Sequence, residues 1–444
     1  MLSPQNPPAS SDLAQRTRRR ITRRLLPFLF VLYIISYLDR VNLGYAALDM
    51  TRELGFSNAV FGAGAGIFFI GYFLLEIPAT ILVEVWSARK WIARIMITWG
   101  VVASVTGLVT SAHQLYTVRF FLGLAEAGFF PGIIVYLTHW FRYEDRARAV
   151  AWFMIAIPLS QVIGAPVSGL LMKVHWMGYS GWRWLLILEG VPAIVFGVVT
   201  FFYLTDWPKD AKWLPEDERD WITAELEREK QAKKAVKSFS IWQALRHPDV
   251  IRLALGAFCG LTAIYGFGFF LPKIMQRLSG LSTFEVALLS ALPYVATFPA
   301  MLFNAWHSDR TAERRWHTAV PLAAAGILLI GGQAVPSSVP VAVLVLCAAA
   351  MAVHSYLPTF WALPTTFLTE AAAAASIGLI NSFGNLGGFV GPYVVGFLTD
   401  RTGTYSAGIV YLGAVALLGF ALILSVHTAR GHRRKPADLV VTSS

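Results

Sequence analysis

Two pairs of ionisable residues stand where the surrounding sequence offers them no water. In the stretch ISYLDRVNLG, Ile35 to Gly44, Asp39 and Arg40 are adjacent inside an apolar run that begins at Leu25. In RFFLGLAEAGFFPG, Arg119 and Glu126 are seven positions apart, so they share one helical face at a separation of about 10 Å. Each charge inside a bilayer costs on the order of 2.5–3.5 kcal/mol on insertion scales, which marks such residues as functional candidates. Arginine can hold a carboxylate through two parallel hydrogen bonds. A carboxyl withdrawn from water favours its neutral form and can take up and release a proton. Together these residue types suggest an anion and a proton sharing one route.

Spacing says which groups can serve each other. Neighbours at i and i+1 point about 100° apart, so Asp39 and Arg40 each need their own surroundings. An ion pair within one helix prefers i,i+4, so Arg119 and Glu126 are placed to hold different partners, and Gly123 between them leaves room for something to approach. The competing readings are that Asp39 and Arg40 snorkel to an outer interface, and that Arg119 and Glu126 only lock their helix to its neighbours. One-face polar stripes recur elsewhere: Gln161, Gly164 and Ser168, and Asn381, Asn385, Gly388 and Pro392. For any one of these, interhelical bonding or close packing competes with ligand contact. Tyr72 can line a cavity, whereas Glu76 one turn on reads as structural. His354 and Trp361, seven apart, can face the same site, with a buried, hydrogen-bonded histidine the blander reading. The glycines of FGAGAGIFFIGY (Phe61 to Tyr72) read as a packing face, since no strand precedes them and the third glycine is misplaced for a dinucleotide fingerprint.

The elements that must position these residues follow from composition. Of 444 residues, 56% are hydrophobic and 14% charged, where a globular chain carries about 25% charge. Runs of about 20 apolar residues, the length that crosses a bilayer, occur twelve times: roughly 25–48, 58–82, 91–112, 115–139, 147–172, 183–205, 250–272, 284–305, 318–335, 340–365, 374–398 and 405–427. Such runs do not alternate as barrel strands would, so each is expected to be a helix. The fold class is an all-α polytopic membrane protein of twelve transmembrane helices.

Every second connection is basic, from RTRRRITRR before the first span to ARGHRRK after the last, which predicts both termini in the cytoplasm. The alternation weakens at LTEAAAAAS after the tenth span. The expected organisation is a basic cytoplasmic tail at 1–24, a six-helix bundle at 25–205, a cytoplasmic linker at 206–249, a second six-helix bundle at 250–427 and a tail at 428–444. In the linker, Pro215 can start a helix whose first-turn acids suit its dipole. The halves echo each other: EVWSARKW (Glu84 to Trp91) and HSDRTAERRW (His307 to Trp316) each follow a second span, and internal repeats of this kind place a binding site near the midplane.

Other classes are disfavoured. The net charge of +11 follows the topology, and no nucleic-acid module accompanies it. Cys259 and Cys347 both fall in spans and suggest neither a disulfide framework nor a metal site. No nucleophile elbow, metal-binding histidine pair or phosphate loop has a suitable context, so neither catalysis nor a cofactor is expected.

RFFLGLAEAGFFPGIIVYLTHWF (Arg119 to Phe141), with YLDRVNLG and SDRTAERRWH, resembles the anion:cation symporter branch of the major facilitator superfamily, the group of tartrate, galactonate, hexuronate and phthalate permeases. The resemblance runs from about Arg23 to His427. It implies two pseudo-symmetric six-helix bundles rocking around a central site, and import of a small organic anion with protons through a bacterial inner membrane, by a protein that works as a monomer. Carried over by position, Arg40 and Arg119 correspond to anion-binding arginines and Asp39 and Glu126 to proton-coupling acids. Tyr37, Tyr72, Gln161, Trp361 and Asn381 fall where such permeases line their cavity. Asp309 and Arg310, with Arg314, keep the gating pattern of the second half, whereas Glu84 to Lys90 has lost it in the first, and polyalanine after Glu370 replaces an expected polar turn. Two alternatives stand beside this reading: an exporter of amphipathic compounds, and a non-transporting receptor on the same scaffold.

Overall fold

The computed structural model describes residues 8–142, 144–146, 149–150, 155–234, 246–334, 338–364 and 370–427. The tail expected at 428–444, part of the linker and residues 147–148 and 151–154 of the fifth span lie outside them. Fifteen α-helices are described: α1 Pro8–Glu53, α2 Asn58–Val85, α3 Ala88–Thr106, α4 Ala112–Glu126, α5 Phe129–Trp140, α6 Ala156–Leu171, α7 Gly181–Tyr203, α8 Glu216–Lys234, α9 Pro248–Ser279, α10 Thr283–Thr311, α11 Arg315–Gly331, α12 Val339–Ala362, α13 Glu370–Asn385, α14 Gly387–Thr402 and α15 Ser406–Leu424. Nine helical segments among the described residues are long and apolar enough to cross a bilayer. The remaining spans are α3, which starts with Arg89, Lys90 and Arg94, the 16-residue α6, and the α13–α14 pair.

Local chemistry explains the boundaries. Ser57, Ser87 and Ser111 accept from the backbone N–H of Val60, Lys90 and Gln114, capping α2, α3 and α4. The fourth span, expected as one helix, is broken between α4 and α5 because Gly128 adopts a left-handed conformation, φ 81°. A Cβ there would lie 2.4 Å from that of Ala79, so only glycine permits both the turn and the approach of α2. The linker is docked rather than free. Asp217 and Glu218 of α8 meet Arg16 at 2.5 and 3.0 Å, and Glu218 meets Arg20 at 2.9 Å, tying the linker to the arginines that begin α1.

The two halves meet along two equivalent seams, α2 against α14 and α6 against α10. The α2 glycines serve two faces, not the single one expected. Gly64 and Gly71 face α4, while Gly62 and Gly66 let the backbone of Pro392 and Phe389 in the other half come close enough that an added Cβ would clash. Gly123 likewise makes room for a neighbour, but the neighbour is the Phe68 carbonyl of α2. Polar contacts reinforce the end of the seam away from the N terminus. Asp400 accepts from the Asn58 and Ala59 backbone at 3.0 and 2.8 Å, and Lys273 donates to Asn58 at 2.8 Å. At this distal end the halves are sealed.

Candidate functional site

A cavity of about 120 Å³ lies between the halves, under the distal seal. The first half contributes Tyr37 and Arg40 from α1, Tyr72 from α2 and Gln161 from α6; the second contributes His354 and Trp361 from α12 and Asn381 and Asn385 from α13. Six of the residues singled out for binding or coupling, Tyr37, Arg40, Tyr72, Gln161, Trp361 and Asn381, are thus brought to one wall-to-wall space. The rest of its lining is mainly aromatic and aliphatic, including Tyr33, Tyr265 and Tyr294.

Arg40 is the charge on that wall. Its Nε and Nη2 donate to Oε1 of Glu126 at 2.9 and 2.6 Å, and Ser36 Oγ donates to the same oxygen at 3.0 Å. Glu126 itself is fully buried and its Oε2 has no hydrogen-bond partner among the described residues. The guanidinium carbon lies 5.2, 5.4 and 5.6 Å from the ring centres of Tyr37, Tyr72 and Phe68, so aromatic faces surround the cation where water would otherwise solvate it. Glu126 therefore reaches the cavity only through Arg40.

Asp39 and Arg119 do not line the cavity, which corrects the expectation that both arginines would. Asp39 is 3% exposed and accepts from Trp99 Nε1 at 3.0 Å and Asn42 Nδ2 at 3.3 Å. Arg119 is 2% exposed, sits 5.0 Å from the Phe68 ring, and senses the charges of both Asp39 and Glu126. The one-residue offset between Asp39 and Arg40 turns them about 100° apart around α1: one group faces the bundle interior, the other the cavity.

The polar stripes divide between ligand-facing and packing positions. Gln161 lines the cavity, and its Oε1 lacks a partner among the described residues, while Ser168 on the same stripe donates instead to Glu189 at 3.1 Å. Asn381 and Asn385 line the cavity; Gly388 and Pro392 pack against α2. His354 is buried, its Nδ1 paired with the Ala350 carbonyl at 2.9 Å, and it also reaches the cavity wall.

Three participants went unrecognised in the sequence. Glu76, read there as a structural group, is buried and accepts from Asn381 Nδ2 and, at 2.8 Å, from Ser382 Oγ, linking the halves at cavity level. Its signal was the i,i+4 spacing from Tyr72. Glu189, a lone acid in the apolar run LILEGVP, carried the same signal as Asp39. Trp99 carried none, because its role depends on α3 meeting α1.

At the opposite end, Arg314 is paired with Asp309, whereas Arg310 lies 5.6 Å from the Trp306 ring. The first half builds its turn differently: Asp206 accepts from Ser87 Oγ at 2.7 Å and Arg89 N at 2.8 Å, an anchor supplied from the end of the sixth span.

Two packed helical bundles enclosing a mainly apolar cavity with the Arg40 cation on its wall, under a sealed end, define a membrane carrier architecture. The Major Facilitator Superfamily model matches residues 29–392, and the chain belongs to that family; it is a multi-pass membrane transporter. It is 46% identical over 418 residues to a protein of Agrobacterium vitis named "Putative tartrate transporter", covering 94% of this chain and 92% of that one. It is 35% identical over 427 residues to a quinolone resistance transporter of Acinetobacter baumannii, covering 96% and 98%. Among solved structures, a bacterial homologue of the human lysosomal transporter Spinster, inward-facing and unoccupied, superposes with a TM-score of 0.72 at 17% identity over 92% of this chain and 95% of that one.

Proposed function

We propose that this transporter imports a small organic anion of the hydroxy-dicarboxylate class, tartrate-like, by proton symport through alternating access, in a bacterial inner membrane with both termini cytoplasmic. The observation that carries the reading is the Arg40–Glu126 pair. A cation on the cavity wall has two of its five N–H donors held by an internal carboxylate, 2.9 and 2.6 Å away. A proton on Glu126 weakens that hold and frees the guanidinium for a carboxylate of the cargo; an arriving anion in turn favours protonated Glu126. Anion and proton then bind together, which is the condition for symport.

Cavity size agrees with a small cargo. At roughly 10–15 Å³ per water-sized group, the 120 Å³ space accepts on the order of ten such groups, the scale of a four-carbon dicarboxylate. The polar ends of such a cargo can meet Arg40 on one side and Gln161, Asn381 and Asn385 on the others. Arg119 and Asp39 act from behind α1, Arg119 balancing the buried acids. The aromatic lining and the name of the Acinetobacter relative favour a second reading, export of amphipathic compounds. That reading leaves the buried cation without a task.

Uptake of labelled tartrate into proteoliposomes, with and without an inward proton gradient, tests the proposal. Accumulation is expected to collapse with the gradient and to vanish in Arg40→Ala. Because that variant leaves Glu126 unpaired, Arg40→Ala/Glu126→Gln, which removes both charges, separates loss of binding from misfolding. Gradient-driven tartrate accumulation by the double variant would overturn the assignment of Arg40.

A further inference from the structure

Glu189 is the buried acid that the reading above leaves without a task. It sits eight residues, about 12 Å, from the start of the 23-residue α7 and about 21 Å from its end, deep in the span. The next residue, Gly190, lies against the α3 backbone at Gly100 and Ser104, which turns Glu189 away from α3. Only 7% of it is exposed.

The groups around it are acidic or neutral. From α1 come Asp39, Asn42 and Tyr45, with Tyr294 of α10 behind Tyr45; from α6 comes Ser168; from α3, Trp99 is engaged by Asp39. Among the described residues no arginine, lysine or histidine pairs with Glu189. Arg183, six residues earlier on the same helix, is committed to Glu53 and to the Gly107 and Val109 carbonyls. Arg119 is the cation that balances Asp39. An unpaired carboxylate here would face the charge of Asp39 with nothing to compensate it, and burying such a charge is far costlier than neutralising it.

Hydrogen bonding points the same way. Oε1 accepts from Ser168 Oγ at 3.1 Å and the Asn42 amide bears on the carboxyl as a second donor, whereas among the described residues Oε2 has no partner within hydrogen-bond distance, and neither has Oδ1 of Asn42. Both orphans are acceptors. A proton on Oε2 turns one of them into a donor. The Asn42 amide bonds Asp39 at 3.3 Å, and Ser168 shares its α6 stripe with the cavity residue Gln161, so the acid lies on a polar line between Asp39 and the cavity.

We propose that Glu189 is an additional proton-carrying group of the transport cycle, protonated in the distally sealed conformation described here and ionised when the α1–α6–α7 contacts rearrange. The step makes and breaks one O–H bond: water on one side of the membrane supplies the proton to Oε2, and water on the other side receives it. The inference rests on proton symport as proposed above and adds a second coupled proton per anion.

The test uses full-length protein in proteoliposomes with labelled tartrate. Glu189→Gln copies the protonated acid and can keep the Ser168 bond, so exchange of tartrate between two equal pools should persist. The proton-to-tartrate ratio, read from the pH gradient that nulls net flux against a fixed tartrate gradient at zero membrane potential, should fall by one. An unchanged ratio overturns the inference and leaves the symport reading intact. Absence of proton-driven tartrate uptake in the unmodified protein instead removes that reading. Infrared difference spectroscopy of the purified protein across pH reads Glu189 itself: a titrating carboxylic-acid carbonyl band that is missing in Glu189→Gln supports it as a proton carrier, and no such difference overturns the inference.

Discussion

Replacing Glu126 with glutamine separates the two halves of the proposed coupling. The variant keeps the shape of the side chain and an oxygen where Ser36 and Arg40 now donate, at 3.0, 2.9 and 2.6 Å. What it removes is the charge. Arg40 stays charged, so its two bonds remain charge-assisted; what is lost is the attraction between the paired charges, and with coupling energies of close charge pairs starting at about 1.5 kcal/mol, the hold on Arg40 weakens by about 2–3 kcal/mol. That much less is needed to draw the guanidinium onto a cargo carboxylate, and at 1.4 kcal/mol per tenfold it corresponds to anion binding roughly 30- to 100-fold tighter at neutral pH. The sign with pH follows as well. In the unmodified protein, affinity should rise as pH falls, because protonating Glu126 releases Arg40; in Glu126→Gln it should be high and flat. Titrating tartrate against the fluorescence of Trp361, which lines the cavity, at several pH values reads both quantities. Equal or weaker affinity, with the pH dependence intact, would refute the idea that Glu126 competes with the anion for Arg40.

Two further perturbations test the framework around the site. In Gly62→Ala the new Cβ would lie 2.2 Å from the Pro392 carbonyl oxygen, a backbone atom that cannot swing aside, so the α2–α14 seam should part at its distal end. With Cys259 and Cys347 replaced, a cysteine placed at Tyr37 should then react faster with a membrane-impermeant maleimide added from the distal side, and unchanged labelling would count against the seal. Glu313 caps α11: its carboxylate accepts from Trp316 N at 2.8 Å, and from His317 N and Nδ1 at 3.2 and 2.8 Å. Burial pushes this carboxyl up, but the bonds from Trp316 and His317 outweigh it and leave it below the usual carboxylate range. A lowered folded-state value stabilises above the unfolded range and stops doing so as pH falls through it. Glu313→Gln should therefore cost about 1 kcal/mol at neutral pH, as loss of a helix cap does, with the gap closing on acidification; thermal unfolding in detergent measures it.

What could be read in advance follows from how lipid constrains a chain. A span must be a long apolar run, so the spans and their count are written locally, and so is the anomaly of a charge inside one. Pairing is not local. Arg40 and Glu126 are 86 positions apart, and nothing in either span says that α1 and α4 bring them to 2.6 Å. The assignment of Arg119 to the cavity failed for the same reason: a helix face can be computed from spacing, but which neighbour that face meets cannot. Glycine shows the limit most directly. The spacing of Gly62, Gly64, Gly66 and Gly71 announces close packing, yet it took the neighbouring backbones to show that alternate glycines serve different halves. Glu189 was legible by the rule that singled out Asp39, since both are lone acids in apolar runs. No basic residue stands beside it as Arg40 stands beside Asp39, and that isolation is what gives it a distinct chemistry.

The two acids that do have partners at the cavity occupy positions that a cargo would need. Glu126 holds the donors of Arg40 in the first half, and Glu76 holds the amide of Asn381 and the hydroxyl of Ser382 in the second. On the proposed reading, the empty carrier thus satisfies with its own carboxylates the groups that an organic acid satisfies when bound. Each of these side chains lies too deep to be left unpaired without cost. A dicarboxylate can relieve both sites at once, one carboxylate to each half, whereas a monocarboxylate leaves one internal bond in place. Because the Glu76 contact also bridges the halves, displacing it loosens the seam at cavity level only when a cargo replaces the bridge. On this reading occupancy and rocking are linked through the same atoms, and selection for two acidic ends follows from Arg40 and Asn381 standing on opposite halves of the cavity rather than from any single binding residue.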